Sequence, residues 1–363
     1  MKKILLCTFM LCCCISSLFA QMWTDENGVG WEIQTNGNEA TITRAYNFGT
    51  EVIVPEKVFY TYQPAEGDAV TEEYIVTGFG YDNQYDNRSV FGEGKAYISK
   101  VTLPSTIKTI IKKVFSGCSS LKSVDGLSSC SSIGSSAFYN CSSLQSVGDL
   151  PACTSIGDDA FCGCSALTSV GDLSACTSIG SSAFYNCSSL QSVGDLSACS
   201  SIGSYAFKSC YALESIGDLP ECVAIYESAF YNCSSLKSIG NLPKCEVIGD
   251  EAFLCEDYHE YIDGITLRIE VNSSLTSIGS LPACKTIGEK AFYDCNELTT
   301  IGDLSACESI KSNAFYRCNK LTSIDISACT SIGKSAFEYC KSLQSYFVFR
   351  SQKQPKTTRN NQT

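Results

Sequence analysis

The sequence predicts a β-rich solenoid, a chain wound into stacked coils of 22–23 residues, and three observations predict it. A phenylalanine returns at Phe115, Phe138, Phe161, Phe184, Phe207, Phe230, Phe253, Phe292, Phe315 and Phe337, in steps of 23 six times and then 39, 23 and 22. Within one unit the apolar and small residues Cys141, Leu144, Val147, Leu150, Cys153, Ile156, Ala160 and Phe161 fall three or four apart until the final pair. Neither a helix nor a regular strand keeps that period; a coil that turns a corner every few residues does. A glycine recurs at Gly134, Gly157, Gly180, Gly203, Gly249, Gly288 and Gly333, where a tight bend is expected.

Taken in order, the elements are as follows. Lys2 and Lys3, the apolar run Ile4 to Ile15 and the small Ala20 read as a signal peptide over residues 1–20, with an uncleaved anchor as the alternative. Residues 21–75 alternate in Trp31–Ile33, Ala40–Ile42 and Val52–Val54 and read as a β-rich N-terminal cap over the open end of the stack. A separate small domain is the alternative. The solenoid occupies residues 76–349. It begins with half a coil (Val76, Phe79 and Phe91) broken by the polar stretch Tyr81–Arg88, and residues 95–117 form the first full coil. In each later unit two short strands are expected, at Leu144–Val147 and Thr154–Ile156 or their equivalents. An insertion, residues 254–272, carries Glu256, Asp257, Glu260, Asp263 and the only histidine, His259. Residues 350–363 read as a basic disordered tail.

A single coil cannot fold. Its five large apolar side chains contribute roughly 2 kcal/mol each on burial, against a backbone ordering cost of about 1–2 kcal/mol per residue. Stacking completes the burial and lets adjacent coils hydrogen-bond, so about ten coils at roughly 4.8 Å each make a body about 50 Å long.

The chain carries a net charge of −12. Without residues 1–20 it holds 24 basic and 38 acidic residues, a net of −14, and over residues 21–349 the balance is 20 against 38, or −18. An acidic body of this kind excludes nucleic acid as the expected partner, because phosphates need Lys and Arg. No apolar run after residue 20 reads as a transmembrane segment. One histidine leaves a Ser-His-Asp or Cys-His arrangement little to draw on, and no phosphate loop, dinucleotide fingerprint or HExxH is present, so no enzyme and no cofactor are expected. Cys162-Gly163-Cys164 lacks the second pair a metal site requires, so none is expected there.

The recurrent Ile-Gly-x-x-Ala-Phe-x-x-Cys-x-x-Leu-x-x-Val/Ile, as in Ile133–Val147, Ile156–Val170 and Ile179–Val193, resembles the BspA-like, Treponema-type branch of the leucine-rich-repeat family over about residues 75–346. The resemblance implies a right-handed solenoid of leucine-rich repeats, with short parallel strands on the concave face. It also implies a secreted or surface-exposed protein, since several members are linked to adhesion. One departure stands out. The family's strand ends Val/Ile-x-Leu/Ile-Pro, as in Val101–Pro104, whereas most units here carry one extra residue, as in Val147-Gly148-Asp149-Leu150. A bulge is expected there in each repeat.

Five columns of residues follow from the repeat. Cysteines recur at Cys118, Cys141, Cys164, Cys187, Cys210, Cys233, Cys295, Cys318 and Cys340, and again at Cys130, Cys153, Cys176, Cys199, Cys222, Cys245, Cys284, Cys307 and Cys329; Cys162 and Cys255 fall outside both. Equivalent residues on adjacent coils have parallel Cβ vectors, a poor geometry for disulfides, so buried thiols are expected. Aspartates recur at Asp149, Asp172, Asp195, Asp218 and Asp303, with Asn241 and Ser280 between. Carboxylates about 4.8 Å apart repel by only about 0.9 kcal/mol per pair in water. The column therefore reads either as a solvated ridge or as a ridge that attracts a basic partner patch or weakly holds Ca²⁺. Beside it, Gln145, Thr168, Gln191, Glu214 and Lys237, then Thr276, Thr299 and Thr322, are expected to point outward as a varied polar face suited to protein or glycan contact, with plain solubility as the alternative. Tyr139, Tyr185, Tyr231, Tyr293 and Tyr316 form either an exposed ladder or a stack between coils. The function expected from the whole is a secreted or surface binding and adhesion surface for host or neighbouring-cell macromolecules. A periplasmic or envelope spacer without a dedicated ligand is the alternative.

Overall fold

The computed structural model describes residues 21–64, 66–80, 89–256, 258–262, 265–269 and 272–346. The expected signal peptide, the polar stretch 81–88 and the basic tail lie outside them.

The chain is a leucine-rich-repeat solenoid. In the unit from Cys141 to Phe161 all eight residues of the apolar pattern are buried, and the same holds for most later units. Successive coils pair in parallel: Ser155–Ile156 with Ser178–Ile179, then Ser201–Ile202, Ala224–Ile225 and Val247–Ile248, each in register with the last. The recurrent phenylalanines form the spine. From Phe115 to Phe337 each ring lies 4.9–5.3 Å from the next, with planes within 13° of parallel.

The N-terminal strands are β1 (Gln21–Thr24), β2 (Gly30–Asn36), β3 (Glu39–Tyr46), β4 (Glu51–Ile53), β5 (Lys57–Tyr62) and β6 (Val70–Phe79). Alternation of apolar and polar residues places Trp31, Ile33, Ile42, Val58 and Val76 inward. β1, β2 and β3 form an antiparallel meander. β6 joins this layer to the coils: its first half pairs with β5, while Gly78 and Phe79 pair with Thr109 and Ile110 of the first coil. β4 likewise pairs with Lys100–Thr102. The N-terminal layer therefore supplies the first strand to both ladders of the solenoid.

The two ladders differ. Along the Ile-Gly side one fifteen-stranded sheet runs from β1 to Ser331–Ile332. On the Leu-x-x-Val side the strands fall into separate short sheets. The bulge expected at the extra residue does not appear in the paired strands. Pairing stays in register up to the Val or Ile, as in Ser169↔Ser192 and Val170↔Val193, and the added residue falls in the turn beyond it. The register shifts among the described strands lie at Glu32/Ile33 and Ala40/Thr41, both in the N-terminal layer.

The glycine column also has another role than the one expected. Left-handed residues recur instead at the second and, in most coils, the sixth place after it, for example Ser182 (φ 53°) and Asn186 (φ 59°) after Gly180. Gly180 is required by proximity: a Cβ there would lie 2.6 Å from Asp158 N and Gly157 C of the preceding coil. Ile111, Tyr226 and Lys311 occupy the same place in three coils.

The insertion contains a hairpin, Tyr258–Ile262 antiparallel to Ile265–Ile269, and the coils close up across it. Ile248 pairs with Ile287 and Ile239 with Ile278. The first cysteine column has no member in this coil, and Cys255 fills the gap. It is buried, and close enough to Cys233 and Cys295 to raise the pKa of both thiols.

Candidate binding surface

All twenty cysteines of the described residues are free and buried. In the first column, from Cys141 onward, the thiol donates to the carbonyl of the preceding coil's phenylalanine, as Cys187 Sγ does to Phe161 O at 3.1 Å. In the second it donates two residues ahead, as Cys153 does to Ser155 O at 3.3 Å. Burial pushes most of these thiols up, Cys130 to about 11 and Cys176 to about 12, which keeps them protonated; Cys245 and Cys307 are instead held down by hydrogen bonds from Cys222 and Cys329. The expected result of thiol titration is that cysteines of residues 21–346 react after denaturation without reductant and are silent in the native protein. Fewer than half reacting after denaturation contradicts it.

Gln145, Thr168, Gln191, Glu214 and Lys237 are all exposed, as are Thr276, Thr299 and Thr322. Their backbones form a continuous ladder: Thr168 N–H donates to Gln145 O at 3.1 Å, Gln191 to Thr168 at 2.9 Å, Glu214 to Gln191 at 3.1 Å and Lys237 to Glu214 at 2.9 Å. The side chains thus stand in one straight row on a rigid strand edge. Lys237 Nζ and Glu214 Oε2, 2.9 Å apart, pair within it.

The aspartates are partly occupied by the fold, and the residue two places on decides how. Where Leu-Ser follows, the carboxylate accepts the serine N–H: Asp172 from Ser174 at 2.8 Å, Asp195 from Ser197 at 2.8 Å, Asp303 from Ser305 at 2.8 Å. Where Leu-Pro follows, that N–H does not exist. The carboxylate then accepts from the next coil: Asp149 from Asp172 N–H at 3.1 Å, Asp218 from Asn241 N–H at 2.7 Å. The ridge is therefore a row of turn braces as well as a row of charges, which the spacing alone did not reveal.

The Ser174 backbone and side chain hold the Asp172 carboxyl below its ordinary range. A depressed carboxylate adds stability that is present above its unfolded pKa and is lost as pH falls through the folded one. Asp172→Ala is expected to melt below wild type at neutral pH, with the gap closing below about pH 4. Melts at the two pH values check this, and a gap independent of pH contradicts it.

Charge is unevenly spread. No lysine, arginine or histidine occurs between Lys122 and Lys208, while that stretch holds Asp125, Asp149, Asp158, Asp159, Asp172 and Asp195. Beyond Lys208, coils are tied by exposed ion pairs such as Lys244–Glu221 (2.6 Å), Lys285–Glu246 (2.8 Å) and Lys311–Asp250 (2.9 Å). Each such pair contributes at most about 1 kcal/mol, but each neutralises a carboxylate. The tyrosine column is mixed: Tyr293 and Tyr316 stack at 4.8 Å, whereas Tyr139 and Tyr185 are each 37 % exposed.

A repeat scaffold with an invariant core and a variable outer row defines the class, a leucine-rich-repeat solenoid. More narrowly, the chain belongs to the family of BspA type leucine rich repeat regions, six copies of which match residues 87–213, 154–270 and 270–356. Among solved structures it is similar to a leucine-rich repeat protein from Bacteroides ovatus (22 % identity, 92 % of this chain and 93 % of that one, TM-score 0.52), which supports the fold. It is also similar to a leucine rich cell surface protein from Faecalibacterium prausnitzii (23 %, 92 % and 96 %, TM-score 0.43). A third is the pneumococcal vaccine antigen PcpA (19 %, 91 % and 82 %, TM-score 0.39). No curated protein matches. Among the described residues no helix is long and apolar enough to cross a membrane.

Proposed function

We propose that the chain is a secreted or cell-surface binding protein, non-catalytic, that uses its outer polar row to adhere to protein or glycan on host or neighbouring cells. One observation carries this reading: Gln145, Thr168, Gln191, Glu214 and Lys237 change identity from coil to coil while the buried positions around them hardly change. Variable polar side chains on a constant frame suit recognition. The Asp149, Asp172, Asp195, Asp218 and Asp303 ridge beside it adds a negative field that draws basic partners. The apolar run before Ala20 supports export.

Pull-down with extracellular-matrix and cell-surface proteins is the test, and a specific partner at micromolar affinity is the expected result. Protease shaving of intact cells separates this from the spacer alternative: a surface protein is cleaved, a periplasmic spacer is protected. Protection together with no partner overturns the reading.

A further inference from the structure

The hairpin of β5 and β6 extends past the core that its base closes. Its cross-strand partners alternate by face. Val58↔Tyr74, Tyr60↔Glu72 and Tyr62↔Val70 share the inner face, while Lys57↔Ile75, Phe59↔Glu73 and Thr61↔Thr71 share the outer one. At the base of the inner face Val58 and Tyr74 are buried in the common core. Toward the tip the same face comes out of it: Tyr60 is half-buried, Tyr62 and Val70 are 38 % and 39 % exposed, and Glu72 is exposed. The outer face braces the tip, where the Thr61 and Thr71 hydroxyls pair at 2.8 Å and Lys57 meets Glu73 at 2.6 Å. Gln63 Nε2 also donates to Gly67 O at 2.7 Å across the connection. The inner face is therefore an aromatic shelf held in place before anything meets it.

The chemistry of the shelf limits what it can hold. The Tyr60 and Tyr62 rings lie 5.9 Å apart with planes within 22° of parallel, an apolar surface with a polar rim. The Glu72 carboxylate stands at that rim: Tyr62 Oη donates to its Oε1 at 3.5 Å and Tyr74 Oη to its Oε2. The hydrogen bond to Glu72 and burial push the Tyr74 phenol up to about 12, so it remains a donor. A carboxylate has about four acceptor positions, so two tyrosine donors leave about two open. The carboxylate lies beyond the hydroxyl end of the Tyr62 ring, not over its face. A cation seated on the ring face therefore stands away from the carboxylate. An entirely apolar segment would strip water from Glu72 and leave its acceptors unpaired. A sugar ring meets both demands: its C–H face covers the phenol ring, and hydroxyls at its margin donate to the carboxylate.

We propose that the inner face of the β5–β6 hairpin, at Tyr60, Tyr62 and Glu72, binds a sugar ring of a neutral glycan, with the ring stacked on tyrosine and its hydroxyls donating to Glu72. The site lies in the N-terminal layer, apart from the outer polar row of the coils, and goes beyond the reading of that row.

An array of neutral oligosaccharides probed with the full chain, followed by calorimetry with the best-bound one, tests it. Wild type is expected to bind at least one. Tyr62→Ala removes stacking surface and Glu72→Gln the charged acceptor, and each is expected to weaken binding about tenfold. Either variant suffices should the other fail to fold. Phe59→Ala, on the outer face of the same hairpin, and Gln191→Ala, in the outer polar row, are expected to stay within about threefold. Loss in Gln191→Ala without loss in Tyr62→Ala moves the glycan to the outer row and overturns the shelf. Binding of a tetralysine peptide in place of any glycan, lost in Glu72→Gln, overturns it in favour of a cation. Absence of any bound glycan also overturns it, while a protein partner captured in the pull-down still upholds the outer row.

Discussion

Phe184→Ala is expected to destabilise the chain by about 4 kcal/mol, the upper range for removing a buried aromatic ring. Phe184 is fully buried, with Phe161 at 5.2 Å on one side and Phe207 at 5.1 Å on the other, both nearly parallel to it. Truncation takes contact from both neighbouring rings and leaves a void that neither can fill, because each is held by its own coil. In a stack whose layers touch only their neighbours, the loss falls on two interfaces at once. Phe337, in the last described coil, is only partly buried and is in ring contact with Phe315. Phe337→Ala is expected to cost about half as much. Urea unfolding of the two variants beside wild type checks this; equal losses contradict the stacked spine.

Gly126→Val is expected to cost about 3 kcal/mol, against about 1 kcal/mol for Gly148→Val. The two glycines are one place apart in the turn, Gly126 standing where Asp149 does in the next coil, and both are left-handed, at φ 92° and 72°. Any L residue is strained at either place, and a β-branched one most of all. Their surroundings differ. A Cβ at Gly126 would lie 2.1 Å from Leu103 O, while one at Gly148 would meet nothing within 4 Å. The preceding coil at Gly126 is the one without the extra residue, Val101-Thr102-Leu103-Pro104, so the longer turn leans onto a shorter one. The difference between the variants isolates the clash from the conformational strain. Chemical denaturation of both reads it, and equal costs would remove the close approach from the account.

The repeat length, the buried positions and the cysteine columns were legible in the sequence because they follow from one period. Leu144, Val147, Leu150 and Ile156 had to face inward once Phe138 and Phe161 were read as equivalent. What a coil does to its neighbour was harder to read. Gly180 looks like a bend residue in one coil, but its need for hydrogen in place of Cβ arises from the backbone of the coil before it. Cys255 looked out of step because the vacancy it fills exists only after residues 256–271 are looped out. Asp149, Asp195, Asp218 and Asp303 are exposed and Asp172 is half-buried, and the bonds of the ridge turn on whether Ser or Pro stands two residues on. That signal was present in Asp172-Leu-Ser174 and Asp149-Leu-Pro151 and becomes meaningful only once the turn geometry is known. The cation-free stretch between Lys122 and Lys208 was countable from the start. Its significance came from the ion pairs that tie later coils.

The most direct test of the stack is the pattern of amide nuclear Overhauser effects along the Ile-Gly side. Thr177 N–H donates to Thr154 O at 2.8 Å, Lys285 to Glu246 at 2.8 Å and Thr330 to Glu308 at 2.9 Å. Cross-peaks are therefore predicted between residues 23 apart in the regular coils, 39 apart across the insertion and 22 apart at the short unit. Contacts confined to residues three and four apart, or an antiparallel pattern between neighbouring coils, would contradict the solenoid.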